Sequence, residues 1–236
     1  MARVIRWDDV AGDGERRALT PAEKDSVLAL DALRLAPGAC VEIAEDGDDT
    51  LLFVHAGSCS AGDRELGGAG SLLVPAGEQR MVVAGKDGAS LVRATLGAAT
   101  DLHAPMGPAE PVVALDHVEP GKATGARSFQ VLHGPHNGST RATMFVGYIP
   151  PGKAPWHYHL YDEIVWVLRG EGKLHIDDTV ERLEHGAAFR LRPREVHIVE
   201  NTDPAVELAV VGIFTPAGSP SAAYLMPDDA ATYAIG

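Results

Sequence analysis

Short apolar runs, each closed by glycine or proline, recur along the chain. "SLLVPAG", "RMVVAG", "SLVRATLG", "RATMFVGYIPPG", "EIVWVLRGEG", "KLHID", "AAFRLRP", "VHIVEN" and "VELAVVGIF" all read as strands ended by turn residues. A spacing of about 8 to 12 residues between turn signals predicts an all-β sandwich or barrel. Helical periodicity is scarce. "TPAEKDSVLALDALRL" is expected to begin as a helix, with Thr20 as cap and Pro21 at the first helical position, and a short helix is expected near "SPSAAYLM".

The same order of signals occurs twice. "TLLFVHAG" (50–57) lies over "EIVWVLRG" (163–170), and "GSLLVPAGEQRMVV" (70–83) over "GAAFRLRPREVHIVEN" (186–201). Identity is low, but each copy reads apolar strand, glycine, hairpin, glycine, apolar strand, proline, turn, strand. Two repeats of one β domain are therefore expected, residues 1–105 and 106–236. The junction falls near the Pro-, Gly- and Ala-rich stretch 97–113.

Bulk properties narrow the partners. At 236 residues the chain can bury a substantial core. A formal net charge of −13 argues against nucleic acid or an anionic membrane as a general partner, since both need basic patches. A small anionic ligand in a locally basic pocket stays open. No apolar run reaches the length of about 18 residues of a membrane-spanning helix. "MARVIRWDDVAGDGERR" holds no apolar core of signal-peptide length, so a cytoplasmic protein is expected, with Cys40 and Cys59 as buried thiols.

The chemistry concentrates in "APWHYHLYDEIVW" (154–166). On a strand, residues two apart face the same way, so His157 and His159 aim together while Trp156 and Tyr158 face away. Glu163 opens the next strand and can enter the same space. Two imidazoles and one carboxylate then converge, a donor set suited to Mn, Fe, Ni, Co or Zn as one divalent ion. Among the remaining histidines His197 stands out, after the proline turn of "RLRPRE" and at the head of "VHIVEN".

These two blocks resemble the signatures of the cupin superfamily. "GKAPWHYHLYDEIVWVLRG" is similar to the first, G-x5-HxH-x3,4-E-x6-G, with His157, His159 and Glu163 in the ligand places and Gly170 as closing glycine. "GAAFRLRPREVHIVEN" is similar to the second, with Gly186, Pro193, His197 and Asn201 matching in kind. The departures fall in turns: only four residues separate Gly152 from His157, Pro193 is one place late, and Glu195 stands where a glycine is expected. The resemblance implies two tandem cupin jelly-roll barrels with few short helices, and a metal on His157, His159, Glu163 and His197. The N-terminal copy places Ala44, Asp46 and Thr50 at the corresponding ligand positions and Arg80 at that of the histidine, so it is expected to be metal-free, supplying packing area or a homodimer interface.

Around the metal, Val165 shares Glu163's face by strand parity, whereas Trp166 faces the other way into packing. Tyr161, in the turn between His159 and Glu163, is a candidate at the barrel mouth. "FRLRPR" alternates Phe189 and Leu191 against Arg190 and Arg192. Either the arginines face inward as a clamp for a carboxylate or they are solvated. His175 raises the same choice. No phosphate loop, nucleophile elbow or CxxC competes.

Three functions fit such a site: an oxygenase-type enzyme acting on a small oxygenated or carboxylated metabolite, a hydrolase with the layout of the family's ureidoglycine aminohydrolases, or a non-catalytic ligand-binding or sensing cupin. The first is the leading expectation.

Overall fold

A computed structural model describes residues 3–12, 15–24, 26–43, 47–97, 103–123 and 126–226. The first eight strands are β1 (Arg16–Thr20), β2 (Leu28–Leu35), β3 (Cys40–Ile43), β4 (Asp49–Ala61), β5 (Arg64–Leu66), β6 (Gly70–Val74), β7 (Arg80–Leu96) and β8 (Val112–Ala114). They form one antiparallel sheet in the order β1-β2-β7-β4-β6-β8, with β3 on β7 and β5 on β4. β8 lies beyond residue 105 in sequence, yet pairs with β6.

The later strands are β9 (Gly121–Lys122), β10 (Ser128–His133), β11 (Thr143–Ile149), β12 (Gly152–Lys153), β13 (His157–Tyr158), β14 (Asp162–Arg169), β15 (Gly172–Ile176), β16 (Thr179–Leu183), β17 (Ala188–Leu191), β18 (His197–Asn201), β19 (Leu208–Thr215) and β20 (Tyr224–Leu225). They make two six-stranded sheets, β17-β14-β19-β11-β10-β9 and β16-β15-β18-β13-β20, with β12 beside β18. The architecture is the all-β arrangement of jelly-roll barrels. Helix among the described residues is confined to three short 3-10 turns at Trp7–Asp9, Leu115–His117 and Pro135–Asn137, and no helix there is long and apolar enough to cross a membrane.

Strand parity organises the core. On β14, Val165 and Val167 face the last sheet and pack with Leu174, Ile176, Phe189 and Val199. Ile164 and Trp166 face the other way, into a second cluster with Leu28, Leu30, Phe53 and Val92 of the first sheet. The central sheet is thus buried on both faces, which is why its strands read as continuous apolar runs. Trp166 is a packing residue, as its parity requires, and its ring lies 4.6 Å from that of His55.

Three local expectations are corrected. Where a helix is expected to start at Thr20, that residue instead ends β1, and Leu28–Leu35 of the same segment form β2, which pairs with β7 along its length. Its leucines alternate, Leu28 and Leu30 towards the central sheet and Leu33 and Leu35 towards the first sheet's own core. Burial on both faces outweighs the helix propensity of Ala, Leu and Glu. The stretch near "SPSAAYLM" turns and ends in β20, which pairs with β13 and stacks Tyr224 on Tyr158 at 5.3 Å. Cys59 is buried, whereas Cys40 is exposed on β3.

The N-terminal segment crosses to the far end of the chain. Ile5 pairs with Ala188 through two 2.8 Å backbone hydrogen bonds, adding a bridge to β17. Val4 is buried in the cluster between the last two sheets. In the N-terminal half, Thr50 is buried on β4 and Arg80 is exposed beside Glu78; Ala44 and Asp46 lie outside the described residues.

Candidate metal centre

The site is built across two sheets. β13 and β18 of the last sheet bring His157 directly opposite His197. Glu163 comes from β14 of the central sheet, where it is paired with Leu191 and Phe214. His159 follows β13, and its Nε2 lies 3.8 Å from a Glu163 carboxylate oxygen. One donor atom from each of His157, His159 and His197 falls within 4.8 Å of the others. Among the described residues, no other group of three or more such side chains gathers so closely.

Each imidazole is oriented by a carbonyl. Nδ1 of His157 lies 2.8 Å from Pro155 O, that of His197 2.9 Å from Glu195 O, and that of His159 3.3 Å from Ala222 O. A carbonyl only accepts, so the proton sits on Nδ1 and leaves Nε2 as a lone pair for the interior. Burial, reinforced by the neighbouring imidazoles, pushes His157 down to about 2 and His159 to about 3; burial pushes His197 to about 4. All three are neutral at physiological pH, the form that ligates a cation. Burial, then the Asp162 charge, pushes Glu163 up to about 8.

A buried carboxylate among neutral imidazoles lacks a full counter-charge, and a divalent ion would supply it. Three imidazole nitrogens and one carboxylate suit a borderline first-row ion. Space has been made for this arrangement. A Cβ on Gly212 would lie 2.3 Å from the Phe145 ring and 2.9 Å from a Glu163 oxygen, so only glycine there lets both approach.

A cavity of about 90 Å³ opens beside the cluster. Tyr161 and Val165 line it, along with Arg127, Phe129, Phe145 and Leu191. Tyr161 stacks on the His159 ring at 4.6 Å and on Phe214 at 4.0 Å. Burial and the Glu163 charge drive its hydroxyl far above the usual tyrosine range, so it stays protonated. Arg127 is a charged lining residue that the sequence did not single out. It lies in a loop before β10 with no motif around it, and only the fold brings it to this cavity.

The other three pocket candidates lie elsewhere. Phe189 and Leu191 take the inward positions of β17, which turns Arg190 towards the first sheet. There it is buried and bonds Asp162 at 2.8 Å, Leu28 O at 2.7 Å, Pro21 O at 3.1 Å and the Ser26 hydroxyl. Arg192, beyond the strand, is exposed and pairs with Glu23. His175 shares the outer face of the last sheet with Glu200, to which its Nε2 is bonded at 2.6 Å, and packs at the edge of Trp156. Asn201 is structural: its amide donates to Ile149 O and Val206 O.

Residues 144–214 match the family model for the cupin domain. The match spans every residue of the candidate centre. No curated protein matches the chain by sequence. Solved structures of Bacillus subtilis oxalate decarboxylase share the fold. A serine-to-alanine mutant superposes with a TM-score of 0.77 at 15% identity, over 95% of this chain and 79% of that one. The enzyme at pH 4.6 gives 0.76 at 14% identity, over 95% and 78%. A third structure of that enzyme, concerned with its Mn(II) centres, gives 0.76 at 14% identity, over 95% and 79%. At these identities the likeness shows the fold alone, while the cupin domain match is confined to residues 144–214.

Proposed function

We propose that the chain is a metal-dependent cupin enzyme of the oxygenase type, acting on a small oxygenated or carboxylated metabolite. One observation carries this reading: three neutral imidazoles, a buried carboxylate and a guanidinium meet on one small cavity. His157, His159, Glu163 and His197 hold the ion, which when bound supplies a Lewis-acid or redox centre. Arg127 pairs with a substrate carboxylate and orients it. The protonated Tyr161 hydroxyl offers a hydrogen-bond donor on the same cavity. Phe129, Phe145, Val165 and Leu191 exclude water. The cavity of about 90 Å³ beside the cluster leaves room for a small ligand.

In this reading residues 106–236 form the metal-bearing half and residues 1–105 a metal-free half that buttresses it. Mn(II), the ion named for the oxalate decarboxylase centres, joins Fe(II) as the first to test.

The experiment loads metal-free protein with Fe(II) or Mn(II) and follows O2 uptake with a panel of small mono- and dicarboxylates, oxalate included. Substrate-dependent O2 consumption is the expected result. Turnover of a panel member without O2 uptake overturns the oxygenase reading. So does ammonia release from ureidoglycine, which would make the chain a hydrolase. Tight metal retention with no turnover of any kind leaves a binding or sensing cupin.

A further inference from the structure

Glu195 stands where the second cupin signature has its turn glycine, and the structure shows what the substitution does. The turn runs Arg192–Pro193–Arg194–Glu195. Glu195 N–H donates to Arg192 O at 3.0 Å. Its carboxylate reaches back to accept Arg192 N–H at 3.1 Å. Between them Arg194 sits at φ 65°, in the left-handed region where a glycine would rest without strain. The turn is therefore held by side-chain bonds that a glycine could not make.

This turn touches two of the histidines, His159 at its main-chain carbonyl and His197 at its ring. Arg194 N–H donates to His159 O at 2.7 Å. Glu195 O accepts the Nδ1 proton of His197 at 2.9 Å. The remaining Glu195 carboxylate oxygen accepts from the guanidinium of Arg3, which also reaches Asp177 at 3.3 Å. Arg3 is itself anchored. Its N–H and that of Val4 both donate to the Glu181 carboxylate, at 2.7 and 3.2 Å, and Ile5 is paired to β17.

We propose that Arg3 is a positioning residue for the metal centre, acting through Glu195 to hold the turn that orients His197 and the main chain at His159. The proposal rests on reading the His157, His159, Glu163 and His197 cluster as the metal site. Against it stands a plainer role: the Arg3–Glu195 pair is a partly exposed ion pair that clasps the N-terminal segment and has no effect on the imidazoles.

The test uses the full chain with Arg3→Ala, Arg3→Lys and Glu195→Gln. Co(II) affinity and its ligand-field spectrum are measured on each, together with the ¹⁵N resonance of His197 Nδ1 in metal-free protein and chemical denaturation. Arg3→Ala and Glu195→Gln leave the Glu195 carbonyl in place and loosen only the turn that carries it, so each is expected to weaken Co(II) by about three- to tenfold, less than the ten- to hundredfold cost of losing a direct outer partner of a ligating histidine. Both should move the His197 resonance, and Arg3→Lys should recover most of the loss. An unchanged Co(II) affinity in Arg3→Ala overturns the proposal, whatever happens to stability. If the unmodified protein binds no Co(II), the metal reading fails. The His197 resonance then decides the Arg3 proposal alone: a shift in Arg3→Ala supports it and an unmoved resonance overturns it.

Discussion

His157 and His197 face each other across β13 and β18 with their ring centroids 4.5 Å apart. Two protonated rings could not sit so close in a buried site, and each keeps its proton on the side away from the other group's lone pair by bonding a carbonyl. Both rings thus present Nε2 in the neutral form that could ligate a cation.

Replacing His197 by alanine should therefore abolish metal retention and leave the barrel folded. Metal content after dialysis against a weak chelator is the measurement. The loss should exceed about a hundredfold, since even an outer partner of a ligating histidine is worth ten to a hundred. Retention of a stoichiometric ion by His197→Ala would remove this residue from the ligand set.

Metal binding should release close to one proton at pH 7. The histidines are already neutral, while Glu163, pushed up to about 8 by burial, still holds its proton in the metal-free chain. Affinity then rises with pH until about pH 8 and levels off. Calorimetry in buffers of different ionisation enthalpy counts the proton directly, and Glu163→Gln should reduce the count to near zero.

The metal-free protein should lose stability on the acid side. His133, His157, His159 and His197 are buried neutral, with folded values pushed down to about 3, 2, 3 and 4, whereas the unfolded chain titrates near 6.5. Between those values the unfolded state binds more protons, so stability is whole above about pH 6.5 and falls as pH drops below it. Each such histidine contributes up to about 1.4 kcal/mol per pH unit. His133 is the cleanest probe, because it lies outside the cavity and neither ring nitrogen makes a well-formed hydrogen bond. Urea melts of His133→Leu between pH 5 and 7 should show a shallower dependence than the parent.

The two arginines of "FRLRPR" should behave differently. Arg190→Ala strands the buried Asp162 carboxylate and is expected to cost about 3–5 kcal/mol. Arg192→Ala breaks an exposed pair with Glu23 and should cost less than about 1 kcal/mol. Equal effects in denaturant melts would contradict the burial difference.

Arg127→Ala should raise KM for a carboxylate substrate by more than it lowers kcat, with Arg127→Lys intermediate, because a lysine keeps the charge and loses the bidentate fork. Steady-state kinetics on whichever carboxylate turns over will show it. An unaltered KM would place the anion elsewhere.

What the chain disclosed in advance was whatever depends on strand parity. Two-residue alternation put His157 with His159, Val165 with Glu163, and Trp166 on the opposite face. The alternation of Phe189, Arg190, Leu191 and Arg192 was equally plain but mute about direction, because β17 is buried on both faces and parity alone does not say which face is the cavity. Arg190 accordingly sits against the first sheet. The face of His175 was left open for the same reason; it is one residue out of phase with Ile176, which faces the core. β2 and β20 were misread because their structure comes from partners distant in sequence, β7 and β13. Arg127 and Arg3 carried no local signal, since both act through contacts that exist only once distant segments have met.

The bond from Arg3 to Glu195 joins residues 192 positions apart, and Ile5 is bridged to Ala188. The N-terminal partners of these contacts must therefore wait until the segment around Ala188 and Glu195 has been made before they can dock. Contacts of such long sequence separation close slowly. Until β17 has been made, Val4 and Ile5 would remain exposed apolar residues without their strand partner, a stage at which mispairing between nascent chains competes with folding. The barrel that carries the candidate centre is in this sense closed late, although almost all of its strands lie in one continuous stretch of sequence.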